Sequence, residues 1–243
     1  MTAAEEALGG IAQLRVEIKG HRTHYLKAGS GPPVVLLHGG ASDSRDWAGT
    51  MTALAHRFTC YAPDLIGFGQ SERKKTGYYL SDFAEFTEEF VKILGLENPD
   101  IIGHSFGGRV SADVAVRGRV KIRRLVLVDA SGLGKISIFG NALFTMFWAL
   151  RKLLRRTQPF PRFLAKDGDD YNQVGEDELR HLGMPILLIW KHYDPYFPVS
   201  LAHRAEKLIP GAQLEVLPGF GHAPNKQNIE AFTRLLLDFL GQS

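Results

Sequence analysis

Gly103-His104-Ser105-Phe106-Gly107 follows the apolar pair Ile101-Ile102 and precedes a segment with helical spacing. A serine flanked at two residues on either side by glycine is the arrangement that presents a nucleophile at a sharp strand-to-helix turn. Such a turn strains its central residue, and side chains at the flanking positions would collide with strand and helix. Glycines at 103 and 107 remove those collisions and leave the Ser105 hydroxyl projecting. The pentapeptide alone occurs by chance in many proteins, so its meaning depends on what the rest of the chain supplies.

A serine hydroxyl attacks a carbonyl only when a neighbouring base takes its proton, and that base needs a partner to hold its tautomer. Among nine histidines, His222 has the context for this role. It lies in Pro218-Gly219-Phe220-Gly221-His222-Ala223-Pro224, a glycine-rich loop between the last expected strand and the last expected helix. His104 adjoins the serine but points away on an elbow and reads as packing. His38, at a strand end, reads as shaping the loop beneath the site. Two aspartates compete for the third role, Asp194 after the apolar run ending at Trp190 and Asp129 after Leu125-Val126-Leu127-Val128. Asp194 is preferred because it gives the chain order Ser, Asp, His, which leaves Asp129 as a loop-capping carboxylate.

The developing oxyanion needs donors as well. His38-Gly39-Gly40-Ala41 follows an apolar strand, so the backbone N–H of Gly40, with that of Phe106, is expected to form an oxyanion hole. Loss of one such donor costs on the order of 3 kcal/mol in the transition state. A phosphate-binding loop fits less well, since no lysine follows as in a Walker motif. The single cysteine, Cys60, lies in a strand-like run and reads as a core thiol; no intramolecular disulfide can form. The expected chemistry needs no cofactor and no metal.

These residues require a scaffold that gathers them at one edge. Short apolar runs at 34–38, 58–62, 101–103, 125–129, 186–190 and 214–217 read as strands, preceded by a hairpin at 13–19 and 23–28. Helical spacing is present at 80–94, 105–116, 200–209 and 228–240. Near-continuous apolar strands alternating with helices imply a mostly parallel sheet covered on both faces, an α/β fold. The segment 132–183 holds no convincing strand. It is expected to be a helical lid inserted between late strands of a core formed by 1–131 and 184–243, being about twice the length of a simple crossover. Its apolar side chains, Phe144 and Phe147 among them, are expected to line a substrate pocket. The arginines and lysines that follow read as a solvated face.

Composition narrows the remaining classes. At 243 residues, with 44% hydrophobic and 23% charged residues, the chain reads as one soluble globular domain. A net charge of +3, with no aromatic-basic repeat, does not point to nucleic acid. Glu5 and Glu6 stand where a secretory signal would carry positive charge, and no run approaches the ~18 apolar residues of a membrane span. A cytoplasmic protein without stable membrane insertion is expected.

Taken together, His38-Gly39-Gly40, the stretch from Asp64 to Ser71, Gly103-His104-Ser105-Phe106-Gly107-Gly108, Asp194 and Gly221-His222 resemble the α/β-hydrolase superfamily, in particular its lidded serine esterases. The resemblance runs from about residue 25 to the C-terminus, and within it Asp64–Ser71 corresponds to a structural turn beside the active site. The segment Arg117–Arg123 is more compact, and the lid shorter, than is usual in lidded members. Serine at 105, where aspartate would imply dehalogenase or epoxide chemistry, implies acyl transfer. The expected function is hydrolysis of small-molecule carboxylic esters with small or medium apolar acyl groups. The double glycine after His38 also accords with hydrolases of C–C bonds in vinylogous diketones, and some members of the fold act as ligand receptors.

Overall fold

The protein is described here as a computed structural model covering residues 5–8, 10–73, 79–154 and 173–242. The strands are β1 (Glu5–Leu8), β2 (Ile11–Ile18), β3 (His21–Ala28), β4 (Pro33–Leu37), β5 (Thr59–Pro63), β6 (Asp100–His104), β7 (Leu125–Val128), β8 (Ile186–Tyr193) and β9 (Gln213–Phe220). The helices are α1 (Ala48–Leu54), α2 (Leu80–Ile93), α3 (Phe106–Arg117), α4 (Ile138–Leu153), α5 (Glu176–Arg180), α6 (Val199–Leu208), α7 (Pro224–Gln227) and α8 (Ile229–Leu240). The nine strands form one sheet in the order β1-β2-β3-β5-β4-β6-β7-β8-β9. Pairings from β1 through β3 to β5 are antiparallel, and those from β5 through β4 to β9 are parallel.

The alternation of side chains along each strand divides the interior in two. Val35, Leu37, Ile101, Leu125, Leu127, Leu188 and Trp190 face the layer built by α2, α3 and α6. Their neighbours Val34, Leu36, Ile102, Val126, Val128, Leu187 and Ile189 face α1 and α8, against Trp47, Met51, Phe232 and Leu236. A strand covered on both faces has no polar position to offer, which is why these runs are apolar throughout. Each fully buried Leu, Ile or Val contributes roughly 1.5–3 kcal/mol. The sheet is therefore a rigid platform for whatever its edge carries.

Several elements differ from those expected. Strand β1 and helices α1, α5 and α7 were not among the expected elements, and β5 begins at Thr59 rather than Phe58. Helix α4 lies between β7 and β8, within the expected lid. Residues 155–172 of that insertion, and the side chains of Phe144 and Phe147, lie outside the described residues.

Candidate active site

Gly40, Ser105, Asp129, Asp194 and His222 lie just beyond the carboxyl ends of β4, β6, β7, β8 and β9. Ser105 joins β6 to α3 with φ 52° and ψ −113°, a left-handed conformation that strains any residue other than glycine. The close approach behind it explains the glycines. A Cβ at 103 would stand 2.3 Å from both the Gly107 carbonyl oxygen and Ser111 Oγ, and one at 107 would stand 2.2 Å from the Leu37 carbonyl oxygen.

His222 Nε2 is 2.8 Å from Ser105 Oγ, and its Nδ1 is 2.7 Å from Asp194 Oδ2. The second oxygen of Asp194 accepts from the backbone N–H groups of Tyr196 at 2.7 Å and Phe197 at 3.1 Å. That carboxylate is held by its own loop and cannot rotate away. The rings of Tyr196 and Phe197 wall His222 at 4.9 and 5.6 Å between centroids. The imidazole is thus confined between an oriented carboxylate and a hydroxyl.

Asp129 occupies a different position. Its Oδ1 accepts from the Lys191 backbone N–H at 2.8 Å, while Oδ2 lies 4.0 Å from His222 Nδ1 and has no hydrogen-bond partner. Burial, reinforced by the nearby charge of Asp194, holds its carboxyl well above the usual carboxylate range. The two acids converge on one nitrogen, and only Asp194 is within hydrogen-bond distance.

His104 does more than pack. Its Nε2–H donates to the His222 carbonyl at 2.6 Å, and its ring lies 5.1 Å from that of His222. Burial, aided by the neighbouring His222, brings the His104 imidazole down to about 3, so it serves as a neutral donor. His38 accepts from the Leu65 N–H through Nε2 at 3.0 Å and donates Nδ1–H to the Gly39 carbonyl at 2.8 Å, tying the glycine turn to the Asp64–Ser71 stretch. In that stretch, burial would raise Asp64, but hydrogen bonds from His24 and Ser44 outweigh it and bring the group to about 2. Cys60 is buried in β5, which pushes its thiol up to about 12 and leaves it inert.

Sequence reasoning missed Lys191. Its buried ammonium donates to the Pro218 carbonyl at 2.5 Å and to Asn228 Oδ1 at 2.6 Å, clamping the loop that carries His222 from both ends. The available signal was a lysine directly continuing an apolar strand, a position that burial tolerates only when the ammonium is hydrogen-bonded. A charged rim was missed too. The cleft over Ser105, about 760 Å³, is lined by Gly40, His104 and His222 and edged by Asp43, Arg45, Asp46 and Lys226. Lys226 pairs with Asp46 at 3.0 Å and Arg45 with Asp43 at 2.6 Å. His104, Asp129 and His222 have potential ligand atoms within 4.8 Å of one another. Both ring nitrogens of His222 are already engaged by Ser105 and Asp194, an arrangement suited to moving a proton rather than holding a cation.

The sequence model of a family described as "alpha/beta hydrolase fold" matches residues 32–164, more than half of the chain. The chain belongs to the α/β-hydrolase fold family. Among relatives, a 2-hydroxymuconate semialdehyde hydrolase of Pseudomonas putida is 28% identical over 262 residues, covering 92% of each chain. A meta-cleavage product hydrolase of Pseudomonas fluorescens superimposes with a TM-score of 0.80 at 25% identity, over 93% of this chain and 97% of that one. The carboxylesterase CesB of Bacillus subtilis superimposes with a TM-score of 0.80 at 21% identity, over 100% of this chain and 93% of that one, a likeness of fold. Among the described residues no helix is long and apolar enough to cross a membrane.

Proposed function

We propose that this α/β hydrolase cleaves carboxylic esters through an acyl-enzyme formed on Ser105. The observation that carries the reading is the hydrogen-bonded line from Asp194 Oδ2 through His222 to Ser105 Oγ, with contacts of 2.7 and 2.8 Å. His222 Nε2 accepts the hydroxyl proton as Ser105 Oγ bonds to the acyl carbon. The imidazolium so formed is stabilised by Asp194 and returns the proton to the departing alkoxide. Water then repeats the sequence on the acyl-enzyme, releasing the acid and restoring Ser105. The N–H groups of Gly40, on the cleft wall, and of Phe106, at the first turn of α3, are assigned to the tetrahedral oxyanion. The insertion that contains α4 is assigned as a lid, with Phe144 and Phe147 contributing to the acyl pocket.

A second reading is favoured by the Pseudomonas putida relative, whose name specifies 2-hydroxymuconate semialdehyde and whose likeness extends over 92% of both chains. Cleaving a C–C bond requires a proton to be delivered to carbon, whereas the alkoxide leaving an ester takes on oxygen the proton that His222 already holds. The ester reading therefore asks less of the groups the geometry provides.

One experiment separates the readings. The protein is incubated with p-nitrophenyl acetate, butyrate and octanoate, with 2-hydroxymuconate semialdehyde, and with a fluorophosphonate probe, alongside Ser105→Ala. Ester turnover and stoichiometric labelling, both lost in Ser105→Ala, are expected. Consumption of the semialdehyde without ester turnover would install the C–C reading. Labelling without turnover of either substrate would favour a receptor, and full labelling of Ser105→Ala would overturn the nucleophile itself.

A further inference from the structure

The loop that holds Asp194 is itself held from outside. Asp194 Oδ1 accepts from the backbone N–H groups of Tyr196 and Phe197, and each N–H belongs to a peptide unit that ends in a carbonyl. The carbonyl of the first unit, on Pro195, accepts from Ser137 Oγ at 2.5 Å. The carbonyl of the second, on Tyr196, accepts from the Ser137 N–H at 2.8 Å. One residue therefore grips the far ends of both peptide units whose near ends hold the carboxylate. The next carbonyl, on Phe197, accepts from the Trp190 indole N–H at 2.8 Å, an anchor in the sheet. Ser137 lies 58 positions before Pro195, near the start of the insertion.

Ser137 has a second task. Its Oγ accepts from the Gly140 N–H at 2.8 Å and its carbonyl from the Asn141 N–H at 2.8 Å, so it caps the first turn of α4. Capping needs only an acceptor, and the proton given to Pro195 is additional. The approach is close. A Cβ on the buried Gly140 would stand 2.7 Å from both the Pro195 carbonyl oxygen and Tyr196 Cα. Peptide units are planar, with N–H and C=O on opposite edges, so fixing the carbonyl fixes the direction of the N–H. Hydrogen bonds in such a chain also polarise one another, making each N–H a stronger donor to the carboxylate.

We propose that Ser137 is a positioning residue for the ester hydrolysis proposed above, and the inference rests on that reading. Through two peptide units it sets the Asp194 carboxylate against His222. With Oδ1 fixed by the two N–H groups, Oδ2 is left 2.7 Å from His222 Nδ1. Without the Ser137 hydroxyl, the Pro195–Tyr196 unit can turn, and Oδ2 loses its register with the imidazole. The root of the insertion is thus part of the catalytic scaffold as well as the start of a helix.

Three variants separate positioning from capping. Ser137→Ala removes both roles. Ser137→Asp keeps the cap, because its carboxylate accepts from the Gly140 N–H, but it has no proton for the Pro195 carbonyl; Ser137→Thr keeps both. Turnover of p-nitrophenyl butyrate is measured per active site, counted by fluorophosphonate, so that misfolded protein drops out of the rate. Ser137→Ala and Ser137→Asp should each lower kcat about tenfold, the scale of one hydrogen bond left unmade, with KM within about twofold; Ser137→Thr should stay within about threefold of the parent. Proton NMR supplies a readout that needs no turnover: the downfield resonance of the His222 Nδ1–H bonded to Asp194. It should be present in the parent, absent from Asp194→Asn, shifted upfield in Ser137→Ala and Ser137→Asp, and unmoved in Ser137→Thr. Parent-like kcat and resonance in Ser137→Asp would reduce Ser137 to a helix cap and overturn the proposal, as would the same result in Ser137→Ala. A parent that shows the resonance but no ester turnover would strike the ester reading, and the shift in Ser137→Ala would still decide the role of Ser137. A parent without the resonance would remove the Asp194–His222 bond itself, and the proposal with it.

Discussion

Replacing Asp194 by Asn isolates the acid's role with little change in shape. One side-chain oxygen can remain on the Tyr196 and Phe197 N–H groups, 2.7 and 3.1 Å away, so the loop keeps its anchor. The amide nitrogen then takes the place of the oxygen 2.7 Å from His222 Nδ1. Two N–H groups cannot face each other, so the imidazole must turn its lone pair to the amide and carry its proton on Nε2. That tautomer cannot accept the Ser105 proton 2.8 Å away. The expected loss is about 10⁴-fold in kcat, or about 5 kcal/mol of transition-state stabilisation. Asp129 is the control: 4.0 Å from the same nitrogen and held well above the usual carboxylate range, it should lose less than about tenfold as Asn. Initial rates on p-nitrophenyl butyrate, with active sites counted by fluorophosphonate, give kcat directly. If Asp194→Asn stays within tenfold of the parent while Asp129→Asn collapses, the argument from hydrogen-bond distance is wrong and Asp129 is the acid.

Other outcomes follow from the same geometry. Gly107→Ala places a methyl 2.2 Å from the immovable Leu37 carbonyl oxygen, and should cost about 3 kcal/mol or more, lowering Tm by about 6–12 °C in calorimetry; an unchanged Tm would refute the packing argument. His104, held at about 3, binds less proton folded than unfolded, so its contribution to stability is complete above the ordinary histidine value and is lost as pH falls from about 6.5 toward 3. Between pH 7 and 5 this amounts to about 2 kcal/mol, and His104→Gln should remove that share of the slope in urea titrations; an equal slope in the variant would count against it. Phe144→Ala with Phe147→Ala should shift activity among acetate, butyrate and octanoate esters while fluorophosphonate labelling persists. An unchanged chain-length profile would remove both residues from the acyl pocket.

The parallel half of the sheet was legible because strands covered on both faces must be apolar at every position, as Leu125 to Val128 and Ile186 to Trp190 are. Strand β1 was not, because Glu5 and Glu6 carry no apolar signal and the strand exists by pairing with β2 at the sheet's edge. Helix α1 is seven residues that include glycine and two threonines, and packing of Met51 and Leu54 rather than propensity holds it. At the site, Ser105 and His222 were readable because elbow and loop constrain their neighbours in sequence. The choice between Asp194 and Asp129 rests on a difference of 2.7 against 4.0 Å, which is set by register across β7, β8 and β9 and has no local signature. The hydrogen bond from His104 to the His222 carbonyl spans 118 residues and is likewise invisible locally.

The sequence distance of 117 positions from Ser105 to His222 has a consequence during synthesis. At about 5–20 residues per second, roughly 6–23 s pass between the addition of the serine and that of the histidine proposed as its base. Throughout that interval the growing chain carries Ser105 as an ordinary hydroxyl. Activation waits until β9 has docked on β8 at the sheet's far edge and Lys191 has closed the loop from Pro218 to Asn228. On the proposed mechanism, with Ser105 as nucleophile, the ribosome-bound intermediate is chemically silent toward acyl donors, and arming waits for a sheet already complete.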